Sequence, residues 1–185
     1  MVDLASLWLP ILLSAVFVFV VSSVIHMALP IHKNDYVGLP DEERVLEVLR
    51  ASAPPGQYRF PWAASMKECG TPEMKAKFQR GPIGTMVLLS GMNIGKALGQ
   101  WFVFCLVIGL FVAYVAHLCI PAGASGMLVF RVASACAMLG YAFASVDSSI
   151  WKGVNWSTTF KFVFDGVVYA LVTGAAFAWL WPAAV

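Results

Sequence analysis

Five ionisable side chains stand inside long apolar runs of this 185-residue sequence: Lys96, Arg131, Asp147, Lys161 and Asp165. A charge at the centre of a bilayer costs about 2.5 to 3.5 kcal/mol, so such groups pair, reach out to the headgroups, or serve as proton relays and ion sites. Lys96, Arg131 and Lys161 each fall near the start of a predicted helix, where side chains lean toward the N-terminus and a long one reaches the nearest headgroups. Asp147 falls at the end of its predicted helix, where the dipole is already negative, and needs a cation. Asp165 follows Lys161 by four residues, which permits a local pair on one helix face. The alternative is one charge-balanced network of Lys96, Asp147, Lys161 and Asp165, with Asn93, Gln100 and His26 as polar neighbours. As a gate or proton relay, such a cluster would do transport chemistry.

Metal and cofactor chemistry has less support in the sequence. His26 is predicted near one membrane face, His117 near the other and His32 in a loop, so no two share a depth. Axial ligation of one haem by His26 and His117 is therefore not expected, and no metal site is predicted. Cys69, Cys105, Cys119 and Cys136 lack the CxxC spacing, and three of them lie in apolar runs, as buried thiols do. Gly95-Lys96 has the look of a phosphate loop's end, but Ala97 stands where the magnesium-binding hydroxyl belongs and Ser90 where the first glycine belongs. Neither G-x-S-x-G nor H-E-x-x-H occurs. The expectation is a protein that is not an enzyme and has no predicted cofactor, although its apolar flanks suit a bound lipid or pigment.

These residues must be positioned by membrane-spanning elements. The chain is 60% hydrophobic and 12% charged, against roughly 25% charged in a soluble domain. The fold class predicted is an all-α integral membrane protein, a single membrane domain over 1–185 with four transmembrane helices in a bundle. The spans fall at about 4–29, 91–118, 127–146 and 158–181, each near the roughly 20 residues that cross a hydrocarbon core. Met1-Val2-Asp3 carries no basic segment and the apolar run after it is longer than a signal peptide's, so the first span is expected to be permanent.

A structured loop at about 30–82 separates the first two spans. Its eight basic and seven acidic side chains leave it nearly neutral, and without a basic block nucleic acid is not an expected partner. Pro40-Asp41-Glu42-Glu43 begins a short amphipathic helix that carries Val45, Leu46 and Leu49 and ends at Arg50. Thr71-Pro72-Glu73 begins a second one, with Thr71 as its N-cap. Between them Tyr58, Phe60 and Trp62 stand among prolines, suited to the headgroup layer or to a partner's groove. Residues 83–90 are apolar but too short to cross, and are expected to form a re-entrant or interfacial lead-in that breaks near Ser90-Gly91. Gly91, Gly95 and Gly99 then line one helical face, open to close approach by another helix.

The loop after span one is rich in Lys and Arg, the loop after span three carries Lys152, and the turn after span two has no basic residue. That asymmetry puts the 30–82 loop in the cytoplasm and both termini outside, in a prokaryotic plasma membrane. Two functions from different classes fit. One is a non-catalytic accessory or structural subunit of a larger membrane assembly, such as an energy-converting one, with the bilayer and other membrane subunits as partners. The other is a small homo-oligomeric transporter or channel subunit that uses the charged cluster near the cytoplasmic face.

Overall fold

The computed structural model describes residues 2–184, which divide into two compact units: the residues to Asp35 together with those from Asn93 onward, and Tyr36–Met92. In chain order the elements are α1 (Trp8–Met27), α2 (Glu42–Ser52), β1 (Gly56–Phe60), α3 (Met66–Cys69), α4 (Pro72–Arg80), β2 (Gly84–Leu88), α5 (Ile94–Cys119), α6 (Gly126–Tyr141), α7 (Val146–Lys152) and α8 (Trp156–Trp179). The four segments Leu4–Met27, Ile94–Cys119, Gly126–Lys152 and Trp156–Trp179 are long and apolar enough to cross a membrane.

In the first unit, α6 packs along α8, α1 lies against both α5 and α8, and α5 touches α6. Two apolar clusters fill the interior, one around Leu7, Val112, Val129 and Phe177, the other around Val18, Cys105 and Tyr169. Asn93 sets the start of α5 a turn later than the sequence suggests, because its Oδ1 accepts the Lys96 amide at 2.9 Å as an N-cap.

The third span departs from the single helix expected over 127–146. After Tyr141 the chain tightens into a 3-10 turn over Phe143–Ser145 and resumes as α7, which stops at Gly153 in the left-handed conformation (φ 75°). Asp147 therefore stands exposed in the first turn of α7, where the helix dipole favours a carboxylate, and not at a C-terminal end short of a cation. Ser149 and Thr159 join α7 to α8 through a buried hydroxyl pair at 2.5 Å.

The glycines that bring helices together inside this chain are not the ones at 91, 95 and 99. A Cβ on Gly99 would meet nothing within 4 Å, and one on Gly95 would meet only the Asn93 side chain. A Cβ on Gly166 would stand 2.5 Å from the Ala142 Cα and 2.6 Å from the Ala142 nitrogen, at the break after α6. Gly174 likewise faces Ser134 and the Phe130 carbonyl. Contact between α6 and α8 thus depends on two positions without side chains.

The second unit holds the two predicted amphipathic helices together with an unpredicted strand pair and an unpredicted short helix, α3. α4 has the expected signals: Thr71 Oγ1 accepts the Met74 amide, Pro72 and Glu73 open the helix, Lys77 and Arg80 close it, and Met74 is buried. α2 begins at Glu42 and runs two residues past Arg50. Residues 84–88, within the run expected as a re-entrant or interfacial lead-in, are a strand. They form β2, whose inward and outward positions alternate and which pairs antiparallel with β1, Gly56 opposite Leu88 and Phe60 opposite Gly84. Phe60 lies over Gly84, where a Cβ would be 3.0 Å from its ring.

Candidate functional site

His26 closes the last turn of α1, and a 3-10 turn at Pro30–His32 folds the chain back toward α8. The turn lays the His32 ring on that of His26, with centroids 4.4 Å apart and planes 30° from parallel. Phe162 of α8 flanks the stack, 5.1 Å from His32. One turn further along α8, Asp165 presents its Oδ2 to both rings, 2.8 Å from His32 Nε2 and 3.7 Å from His26 Nε2. On the far edge of His32, Nδ1 is 2.6 Å from Asp35 Oδ2, and Lys161 Nζ donates to Asp35 Oδ1 at 2.5 Å. The two carboxylates are almost fully enclosed, each with 2% of its side chain exposed.

The hydrogen-bond pattern constrains the protons. An ionised Asp35 only accepts, so the hydrogen of a neutral His32 belongs on Nδ1, which leaves a bare lone pair on Nε2. That lone pair faces an Asp165 oxygen, another acceptor. Although the two atoms are close, they are not aligned as a hydrogen bond, and neither oxygen of Asp165 nor His32 Nε2 has a hydrogen-bond partner among the described residues. Two acceptors at 2.8 Å are stable only with something positive between or beside them. With neutral histidines, Asp35, Asp165 and Lys161 sum to one net negative charge, so the site asks for a cation.

Burial pushes the Asp35 carboxyl up, but hydrogen bonds from Lys161 and His32, and their charges, outweigh it and hold the group below its ordinary value. A depressed carboxyl stabilises the fold above its unfolded-state pKa of about 3.9, and the contribution fades as pH falls through the lower folded value. The melting temperature of wild type should therefore exceed that of Asp35→Asn by a constant margin from pH 8 to about pH 5, and the margin should shrink below about pH 4. Thermal unfolding followed by circular dichroism across that range is the check. A margin that grows toward acid would contradict the arrangement.

Beside the cluster lies a cavity of about 570 Å³ whose wall is formed by His26, Asp165, Ser22, Trp101, Tyr141 and Tyr169, among others. Trp101 Nε1 donates to Ser22 Oγ at 2.9 Å and meets Tyr169 edge to face, with centroids 5.8 Å apart. The Tyr169 hydroxyl is buried and has no hydrogen-bond partner among the described residues. The last turn of α1, the start of α5, the end of α6 and the first half of α8 thus share one end of the unit and line this cavity with both polar and aromatic side chains.

Three of the six residues predicted as an intramembrane cluster, His26, Lys161 and Asp165, come together. The other three do not join them: Lys96, Gln100 and Asp147 are exposed, and the two charged ones form no ion pair among the described residues. Lys161 turns to Asp35 and not to its helix neighbour Asp165. The expected separation of the histidines in depth fails for His26 and His32, because the Pro30 turn returns His32 to the end of the span. Sequence reasoning missed His32 and Asp35 as site residues. Their i, i+3 spacing directly after a span was the available signal. Comparison of the chain with known protein families, with curated proteins and with solved structures gives no match.

Proposed function

We propose that this is a small transporter or channel subunit that admits a cation, a proton or a metal ion, to a site formed by His26, His32 and Asp165 at one end of its membrane helices. The observation behind the proposal is the buried Asp165 carboxylate, which has no hydrogen-bond partner among the described residues and faces the Nε2 atoms of two histidines beside a cavity. Asp35 and Lys161 hold His32 in register and are not themselves free to exchange a cation. Catalysis is not part of the proposal. By the distribution of Lys and Arg, the Tyr36–Met92 unit faces the cytoplasm and both termini lie outside. The full chain in phospholipid vesicles should dissipate an imposed proton or zinc gradient faster than protein-free vesicles. Equal rates for both ions would refute transport.

A second function has its own support: a non-catalytic accessory subunit of a larger membrane assembly. Gly95 and Gly99 lie on a helix long and apolar enough to span a membrane, with no other helix among the described residues against them, which suits a partner helix packed backbone to backbone. Purification in a mild detergent, with mass spectrometry of co-migrating proteins, separates the cases. Foreign subunits in fixed ratio favour the assembly, and their loss in Gly95→Leu/Gly99→Leu would place them on that face. A homo-oligomer with the same sensitivity favours the transporter.

A further inference from the structure

We infer that His26 Nε2, His32 Nε2 and an oxygen of Asp165 form a binding site for a divalent first-row transition-metal ion such as zinc. The inference deepens the proposed cation site and rests on it. The donor atoms of the three residues lie within 4.8 Å of one another. Ligands bound to one ion at 2.0 to 2.2 Å stand roughly 3.3 Å apart in a tetrahedral set, and the observed separations from Asp165 Oδ2, 2.8 and 3.7 Å, bracket that spacing.

Three features favour a metal ion over a lone proton. A proton satisfies one donor and acceptor pair, whereas here two nitrogens converge on one oxygen, that of His32 at 2.8 Å but not aligned as a hydrogen bond and that of His26 at 3.7 Å, beyond hydrogen-bond reach. Second, Asp35 takes the Nδ1 hydrogen of His32, the carboxylate–histidine pairing that fixes the tautomer and turns the other nitrogen's lone pair toward a metal. Lys161 in turn balances the Asp35 charge. Third, imidazole and carboxylate together suit a borderline ion such as zinc, in contrast to the all-oxygen shells of calcium and magnesium. Three protein ligands leave a coordination position open, and His26 and Asp165 line the cavity from which water or an entering ligand can fill it. Such an open site exchanges its ion, as a transport site must.

The test uses the untagged full chain in detergent, with Zn2+ by equilibrium dialysis and Co2+ as an optical probe of nitrogen and oxygen ligation. Saturation at one Zn2+ per chain is expected, and His26→Ala, His32→Ala and Asp165→Asn should each weaken it at least tenfold. Asp35→Asn, which removes only the orienting partner, should weaken it by about 10- to 100-fold and His117→Ala should not alter it. Circular dichroism and melting of every variant separate loss of the site from loss of the fold. Absence of saturable binding, or binding that survives His26→Ala/His32→Ala, would overturn the inference. Proton flux that depends on Asp165, without zinc binding, would also overturn it while leaving the cation site standing. Stoichiometric zinc without flux of either ion would support the metal site and refute transport.

Discussion

Gly166→Ala should destabilise the membrane unit by about 3 kcal/mol, the upper end of the range for forcing extra atoms into a packed interior. The added methyl would fall on the backbone of Ala142, 2.5 Å from its Cα, and backbone cannot rotate aside as a side chain can. Either α8 moves away from the break after α6 or the break is remodelled. Both disturb the longest helix contact in the unit, and α8 carries Lys161 and Asp165. Gly140→Ala should cost less, because the atoms in its way belong to the flexible end of Ile108. Gly99→Ala should be neutral or slightly stabilising, since nothing lies within 4 Å and alanine is the better helix former by about 1 kcal/mol. Thermal unfolding in detergent measures the order. A Gly166 effect as small as that of Gly99 would mean that α8 does not meet the end of α6 as described.

Asp165→Asn should fold, melt at or above the wild-type temperature, and lose at least tenfold of any cation flux. Removing a buried carboxylate with no hydrogen-bond partner among the described residues removes a desolvation cost, and replacing buried ionic groups by neutral ones is often neutral or stabilising by about 1 to 4 kcal/mol. The new amide can also donate to the bare His32 Nε2, which the carboxylate could not. Higher stability with lower function is the signature of a group kept for its chemistry. A merely structural Asp165 would show the reverse, a lower melting temperature with flux unchanged.

Much of the architecture was legible because apolar length alone identifies a span, and the start of α4 because Thr71, Pro72 and Glu73 each act locally. β2 was not, since a short apolar run reads equally well as a strand or as a buried helical stretch until its partner at Gly56–Phe60 is known. The break after α6 was hidden for a different reason: it lies against a glycine of another helix, about 25 residues on. Within the site, Asp165 and Lys161 were conspicuous as charges in an apolar run. His32 and Asp35 looked like ordinary loop residues because a turn, not a periodicity, returns them to the end of the span. Spacing also suggested pairing Lys161 with Asp165, which failed because partners across the fold, Asp35 and His32, were nearer in space than the helix neighbour.

The most direct test of a cation site at His26, His32 and Asp165 is flux through vesicles containing wild type or Asp165→Asn at equal incorporation, read by entrapped pH- and zinc-sensitive dyes. Wild type should dissipate at least one of the two gradients at ten times the rate of Asp165→Asn or more, with the variant close to protein-free vesicles. Equal rates for the two proteins, or a wild type no faster than empty vesicles for either ion, would contradict it.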